Sequence, residues 1–338
     1  MTASRPLSRP AQAPIVSRPP ASCPEEECRA RLAALRETLA QMKLDAAWIV
    51  SPVNRLYYTG VLTSNGVLVV PTEGRPRLYT DFRYREAAAA AAGFLQVRPL
   101  PRAAAGWLTR AEKRHVRRIG IEAGRVEWQR VERWRHAAPR VRAWVPLDTA
   151  IGHQRAIKSA DELARIRRAA AAADQALEHA LAEVRPGWTE WQIRRLIRAR
   201  LDELSEGESF PTIVATGPNA SRCHHEPSER RWAAGEPLLI DMGAVVDRYC
   251  SDLTRVVWSG RMSRRWRELY RHVDEARAAA IAAIRPGMSG HDVDVVARRR
   301  LREAGLARLF GHGLGHGVGL EIHEFPRLGP KSEDRLEA

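Results

Sequence analysis

Two carboxylates set inside apolar runs are the residues of this chain best placed to do chemistry. Asp241 lies in the run 238–246 and Asp252 in the run 249–258, and both runs read as strands joined by a connection at 246–248 short enough for an antiparallel hairpin. With the turn centred between Val246 and Asp247, the two Asp stand directly opposite each other. Cross-strand partners have Cβ atoms about 4.5–5.5 Å apart, so in a buried sheet these like charges repel and one must stay protonated unless a cation lies between them. A metal pair removes that conflict. Strand ends or turn caps would account for either Asp alone, but not for two in register.

The second cluster is 311–324, where His312, His316 and His323 are interleaved with Gly. Gly loses more conformational freedom on ordering than any other residue, so the pattern suits a place where backbone approaches a ligand closely. Imidazole ligates divalent transition metals, and a neighbouring His can hold a substrate oxygen or pass a proton. A flexible His/Gly loop with incidental metal affinity is the plainer alternative. Against it, Leu314, Val318, Leu320 and Ile322 predict a packed strand. His224-His225, following Gly217-Pro218-Asn219-Ala220, forms a third candidate.

These clusters need elements to position them. Leu32, Leu35, Leu39 and Met42 form one apolar stripe and predict a helix from about Glu25. Strands are expected at 46–50, 66–70 and 77–80, with a turn at Ser51-Pro52-Val53-Asn54, and the alternation of helix and strand to about Leu147 predicts an α/β N-terminal domain. The stretch 151–158 reads as a linker. Ser159 with Glu162 then fits a capping box that opens a long Ala-rich helix from about Ala160, ended near Val184 by Pro186-Gly187. Arg185-Pro186-Gly187-Trp188-Thr189 is echoed by Arg285-Pro286-Gly287-Met288-Ser289, each between an Ala-rich and an Arg-rich helix, which predicts a duplicated unit with a site between its halves.

Composition bounds the rest. The chain has 338 residues, enough for two domains, and no apolar run long enough to span a bilayer. The net charge of +15 comes mostly from Arg scattered over helices among Ala and Glu, without aromatic stacking positions, which reads as solvated helix faces rather than a nucleic-acid surface. Neither a nucleic-acid nor a membrane partner is expected. Cys23, Cys28, Cys223 and Cys250 have no zinc-like pairing or disulfide framework, so a reducing cytoplasm is the expected compartment. Residues 1–24, rich in Arg and Pro and free of acids, predict a disordered tail.

Taken together the motifs resemble the pita-bread (M24) metallopeptidases, the family of methionine aminopeptidase, aminopeptidase P and prolidase, with metal-free creatinase as a relative. Asp241-Met242-Gly243 resembles the first-ligand motif, Ser251-Asp252-Leu253-Thr254-Arg255 the second, and 310–324 the His block. Leu44-Asp45-Ala46, residues 54–60 and residues 80–84 resemble the creatinase-like N-terminal domain, which selects the X-Pro branch. The resemblance implies an α/β (α+β) chain with a tail at 1–24, a creatinase-like domain at 25–150 and a pita-bread domain at 151–338. It implies Asp241, Asp252 and His316 as ligands of two divalent ions, Mn²⁺ first with Co²⁺ or Zn²⁺ as alternatives. It assigns His224, His312 and His323 to substrate contact or proton transfer, and peptides with proline at the second position as substrates.

The chain departs from that pattern in two places. Val256 stands where these enzymes commonly have Thr. The family also supplies two Glu ligands downstream, one in a Glu-Pro-Gly turn and one on a closing strand, whereas this sequence ends at Ala338, and Glu333 and Glu337 sit in no matching motif. The expectation is an incomplete site with weak metal binding and little hydrolysis. An exposed sheet edge open to a partner or to a second copy in a homodimer is expected with it. A non-catalytic pita-bread binding module is the competing expectation.

Overall fold

The computed structural model describes residues 23–109 and 112–338. Apart from Cys23 and Pro24, the tail expected at 1–24 lies outside them. The chain divides into two compact units, one built on 21–157 with a short return at 324–326, the other on 158–323 and 327–336.

The first unit contains α1 (Glu25–Gln41), β1 (Ala46–Ile49), α2 (Pro52–Thr59), β2 (Val67–Pro71), β3 (Arg77–Thr80), α3 (Phe82–Ala91), β4 (Gln96–Pro99), α4 (Glu112–His115), β5 (Arg118–Ile121), α5 (Trp128–Ala137), β6 (Ala143–Pro146) and α6 (Asp148–Ala156). Its six strands run in the order β4-β3-β2-β1-β5-β6, and β1 is antiparallel to β2 but parallel to β5. Every residue of β1 and β2 is buried, as a central strand covered on both faces requires. Trp48 packs edge-on against Trp107, Trp134 and Trp144 at centroid distances of 4.7, 5.4 and 5.2 Å.

Two local expectations are corrected here. The segment 51–54 is a helix start, not a turn: the Ser51 hydroxyl accepts from the Asn54 N–H, and Pro52 takes the first helical position, where its missing N–H costs no hydrogen bond. The segment read as a linker at 151–158 is mostly α6. Ile151 and Arg155 lie one helical turn apart and both point inward, so their burial outweighs the polar appearance of the stretch. The return segment belongs to this unit because the Phe325 ring packs on Gly152, where a Cβ would come within 2.4 Å, and Glu324 pairs with Arg155.

The second unit contains α7 (Ala160–Glu183), α8 (Glu190–Leu204), β7 (Ile213–Thr216), β8 (Pro237–Met242), β9 (Val245–Val246), β10 (Tyr249–Cys250), β11 (Leu253–Trp258), α9 (Arg264–Ala283), α10 (Gly290–Glu303) and β12 (Gly315–Gly317), and β13 (Glu324–Leu328) ends in it. The expected capping box of α7 is present, with Ser159 and Glu162 bonded reciprocally. The buried face of α7 is Ala169, Ala172, Ala173, Ala176 and Ala180, which packs in one core with Leu238, Ile240 and Met242 of β8. Small side chains let the helix backbone come close enough for the Ser251 hydroxyl to donate to the Ala169 carbonyl at 3.0 Å.

The internal echo is structural. In the first copy the Gly187 N–H donates to the Trp232 carbonyl, the Trp232 N–H to that of Trp188, and the Glu190 N–H to that of Arg230. In the second copy Gly287 donates to Leu336, Leu336 to Met288, and Gly290 to Asp334. Gly187 and Gly287 both adopt positive φ, +96° and +88°, which ends one helix and re-aims the chain into the next. Capping boxes at Thr189/Gln192 and Ser289/Asp292 then open α8 and α10.

The hairpin carrying the two Asp forms, with a register different from the expected one. Val246 pairs with Tyr249, so the turn is centred between Asp247 and Arg248, both at positive φ. Asp241 therefore faces Thr254, and Asp252 falls on the next same-face position of the partner strand rather than directly opposite. The displacement is an even number of residues, so both carboxylates stay on one face of the sheet. Gly243 admits the crossing, since a Cβ there would lie 1.9 Å from the Ser251 carbonyl oxygen and 2.1 Å from the Ser209 hydroxyl. Gly243→Ala is expected to destabilise the second unit by about 1–3 kcal/mol or more, read as a lower urea midpoint in equilibrium unfolding.

Candidate active site

Asp241 and Asp252 are presented by the hairpin and His316 by β12. Asp241 accepts a hydrogen bond from the Thr254 hydroxyl at 2.7 Å, which orients its carboxylate. The His316 Nε2 lies 3.6 Å from an Asp252 oxygen, and its Nδ1 is 2.9 Å from the Gly317 carbonyl. His323 stacks edge-on against His316 with centroids 4.4 Å apart. The backbone of the His block is tied to the hairpin through the Cys250 N–H, which donates to the Gly319 carbonyl at 2.7 Å.

The electrostatics of Asp241 record the assembly. Burial raises its pKa most, the Thr254 hydrogen bond lowers it, the Asp252 charge raises it, and His224 and His316 lower it. Three of the other five sequence-derived residues, Asp252, His224 and His316, thus act on the Asp241 carboxyl group. His312 sits apart, its ring 4.7 Å from that of Phe310 and its Nδ1 2.7 Å from the Gly313 carbonyl. Of the expected strand in this block, only 315–317 is extended in β12, and Glu324 opens β13.

The donors suit a hard divalent cation in kind: two carboxylates that repel on one sheet face, plus one imidazole. Among the described residues no three His, Cys, Asp or Glu side chains close into a metal-holding group. The pairs Asp241–Thr254 and Asp252–His316 are therefore the preformed parts.

Buried carboxylates that sequence reasoning passed over hold the His-bearing segments in place. Glu190, at the start of α8 with 0% exposure, accepts from the Thr216 N–H and hydroxyl, Asn219 Nδ2, and the Ser228 N–H and hydroxyl, at 2.6–3.1 Å. His225 Nε2 lies 2.7 Å from Glu190 Oε2, the oxygen that also accepts from Ser228. One side chain thereby fixes the segment 216–228 on which His224 stands. In the other half, fully buried Asp294 pairs with Arg298, whose guanidinium donates to the carbonyls of Phe310 at 2.9 Å and His312 at 2.5 Å. Thr189-Glu190 at the head of an Arg-rich helix was the only sign of Glu190, and it looks like any first-turn acid.

Comparison with known proteins agrees with this architecture. The model of metallopeptidase family M24 matches residues 164–338 and that of the creatinase/prolidase N-terminal domain matches residues 31–157, and the chain belongs to family M24. It is 30% identical over 318 residues to an uncharacterized peptidase of Staphylococcus aureus (strain USA300), covering 91% of this chain and 88% of that one. It is 31% identical over 309 residues to the uncharacterized peptidase YqhT of Bacillus subtilis, covering 91% and 87%. Among solved structures it is similar to an Xaa-Pro dipeptidase from Bacillus anthracis, with TM-score 0.85, 28% identity and coverage of 91% and 87%. It is likewise similar to a prolidase from Pyrococcus furiosus, with TM-score 0.81, 30% identity and coverage of 89% and 88%. The first unit is accordingly a creatinase-like domain and the second has the pita-bread fold.

The Glu190 network has a pH signature. Burial pushes its carboxyl up, but hydrogen bonds from Ser228, Asn219, His225 and the Thr216 N–H outweigh that and hold it at about 2, against an ordinary 4.5. A depressed pKa contributes stability that is fully present above the unfolded value and lost as pH falls through the folded one, here on the order of 3 kcal/mol. Glu190→Gln is expected to be less stable than the parent at neutral pH. Its melting temperature should fall less steeply than the parent's between pH 4.5 and about 2, as followed by circular dichroism.

Proposed function

We propose that the protein is an X-Pro peptidase of the dipeptidase type, hydrolysing the bond before proline with two divalent cations, Mn²⁺ first among them. The observation that carries this reading is the placement of Asp241 and Asp252 on one hairpin face with His316 beside Asp252, in an M24 chain similar to an Xaa-Pro dipeptidase and a prolidase.

Asp241, Asp252 and His316 would hold the cations, and Thr254 fixes the direction of the Asp241 lone pairs by its hydrogen bond. When bound, such ions lower the pKa of water and polarise a carbonyl. His224 and His323 would steady the scissile carbonyl and the charge that develops on its oxygen, and His323 is braced for this by its ring contact with His316. His312, packed on Phe310, would form the wall against the proline ring. Four free cysteines accord with a reducing cytoplasm as the compartment, and among the described residues no helix is long and apolar enough to cross a membrane.

Calorimetric Mn²⁺ titration should show saturable binding, and Gly-Pro should be hydrolysed with Mn²⁺, while Gly-Ala is not. Chelator and Asp252→Asn should each remove at least about 100-fold of the rate, a loss of about 2.7 kcal/mol of transition-state stabilisation. Equal cleavage of both dipeptides, or cleavage that survives chelation, would overturn the reading. The open arrangement of these donors, with no three closing into a metal-holding group among the described residues, favours a second reading, a dipeptide-binding module, and saturable binding of Gly-Pro without hydrolysis at any metal concentration would select it.

A further inference from the structure

Two of the cysteines meet at the start of α1, in the creatinase-like unit. Pro24 is the N-cap of that helix, so Cys23 is the residue just before the cap and Cys28 the fourth helical residue. The Pro24 carbonyl accepts from the Cys28 N–H at 3.1 Å, which closes the first turn. Side chains at these two positions face each other, and in many helices an apolar pair there staples the entering chain to the helix. Here the staple is two thiols, and they share a side-chain hydrogen bond. Stapling alone asks only for two apolar side chains and leaves the choice of two thiols unexplained.

The surroundings hold the pair in place. Arg31, one turn beyond Cys28 and 7% exposed, donates to the Cys23 Sγ at 3.2 Å and to the Tyr57 carbonyl at 2.8 Å. Gly60, which ends α2 at φ +69°, packs against Cys23 closely enough that a Cβ on it would lie 3.4 Å from the Cys23 Cβ. Exposure divides the two sulfurs. Cys28 is 0% exposed whereas Cys23 is half-buried, so a solute meets the pair through Cys23.

Sharing a proton splits the acidity of the pair. The Cys23 hydrogen bond lowers the pKa of the Cys28 thiol and the Arg31 charge helps, with burial and Glu27 opposing. The same bond and burial push the Cys23 thiol up, with Arg31 opposing. Loss of the first proton from the pair is thereby eased, and the charge it leaves stays beside a guanidinium.

We propose that Cys23 and Cys28 are a redox modification site, a dithiol that closes into a reversible disulfide when it meets a low-molecular-weight disulfide, RSSR. The remaining proton passes along the hydrogen bond from Cys23 to Cys28, which frees the accessible sulfur. The Cys23 thiolate attacks one sulfur of RSSR, so a mixed disulfide forms and RS⁻ leaves. Cys28 then gives up its proton and attacks the Cys23 Sγ, which breaks the mixed disulfide and expels the second RS⁻. Two thiols are oxidised by two electrons, RSSR is reduced to two RSH, and both thiol protons end on them. In a reducing compartment such a bond is transient and reports oxidation rather than holding the fold. The inference is independent of the proposed peptidase reaction.

Oxidised glutathione is the probe. The full chain, reduced and desalted, is incubated with it, trapped with N-ethylmaleimide at successive times and cut with trypsin. Residues 1–29 contain no Lys, and Arg29 is their only Arg not followed by proline, so both cysteines leave in one peptide. That peptide should become two hydrogen masses lighter, take up no maleimide, and regain both thiols with dithiothreitol. In Cys28→Ser the glutathione adduct on Cys23 should accumulate at least about tenfold above its level in the parent, which resolves it. In Cys23→Ser the buried Cys28 should stay unmodified while exposed Cys223 reacts. Circular dichroism verifies that both variants are folded, and the mass shift of the parent stands without them. A parent peptide that stays reduced while Cys223 is modified, or that accumulates the Cys23 adduct as Cys28→Ser does, would overturn the site.

Discussion

The repulsion between Asp241 and Asp252 is the interaction around which the second unit is arranged. Two carboxylates on one face of a hairpin are tolerable only where something answers their charge, and the fold brings imidazoles to them from separate parts of the chain. The even register of the hairpin keeps both acids on that face, Gly243 lets the strands cross at the point between them, and Thr254 orients Asp241 without adding charge. The raised pKa of Asp241, pushed up first by burial and further by Asp252, is the remaining imbalance that a cation would remove.

Around that pair, the duplicated halves use the same logic with different residues. Both helix–Gly–helix copies return a strand-like segment to the start of their second helix through matching backbone bonds. In the first copy a buried Glu190 holds the segment carrying His224 directly. In the second, Asp294 acts through Arg298 on the carbonyls beside His312. The His residues thus stand on loops, but the loops hang from buried charges on helices, which is how flexible segments become fit to position chemistry.

Much of this was legible in the residues, because apolar runs, capping boxes and Gly-spaced His are local patterns. The long α7 begins at the Ser159 box and ends where Pro186-Gly187 requires, and β3 occupies the expected residues. The hairpin register was not legible, because its turn uses Asp247 and Arg248 at positive φ rather than the Asn-Gly or Asp-Gly pair that marks such turns. The linker reading of 151–158 failed for a tertiary reason, since α6 is held by the burial of Ile151 and Arg155 and by Phe325 from far along the chain. Glu190 was invisible for the same kind of reason: six hydrogen-bonding partners distinguish it, and all of them are supplied by residues 216–228.

The alanine face of α7 has an evolutionary corollary. Because Ala169, Ala172, Ala173, Ala176 and Ala180 allow the helix backbone to touch the hairpin, and Ser251 bonds directly to the Ala169 carbonyl, any larger side chain at these positions would lift the helix off the sheet that carries Asp241 and Asp252. Sequence drift along α7 is therefore channelled to its outer face, where Arg167 and Arg168 stand, while the inner face can change only together with the hairpin beneath it. A helix of uninformative composition thus carries a tight packing constraint on its inner face.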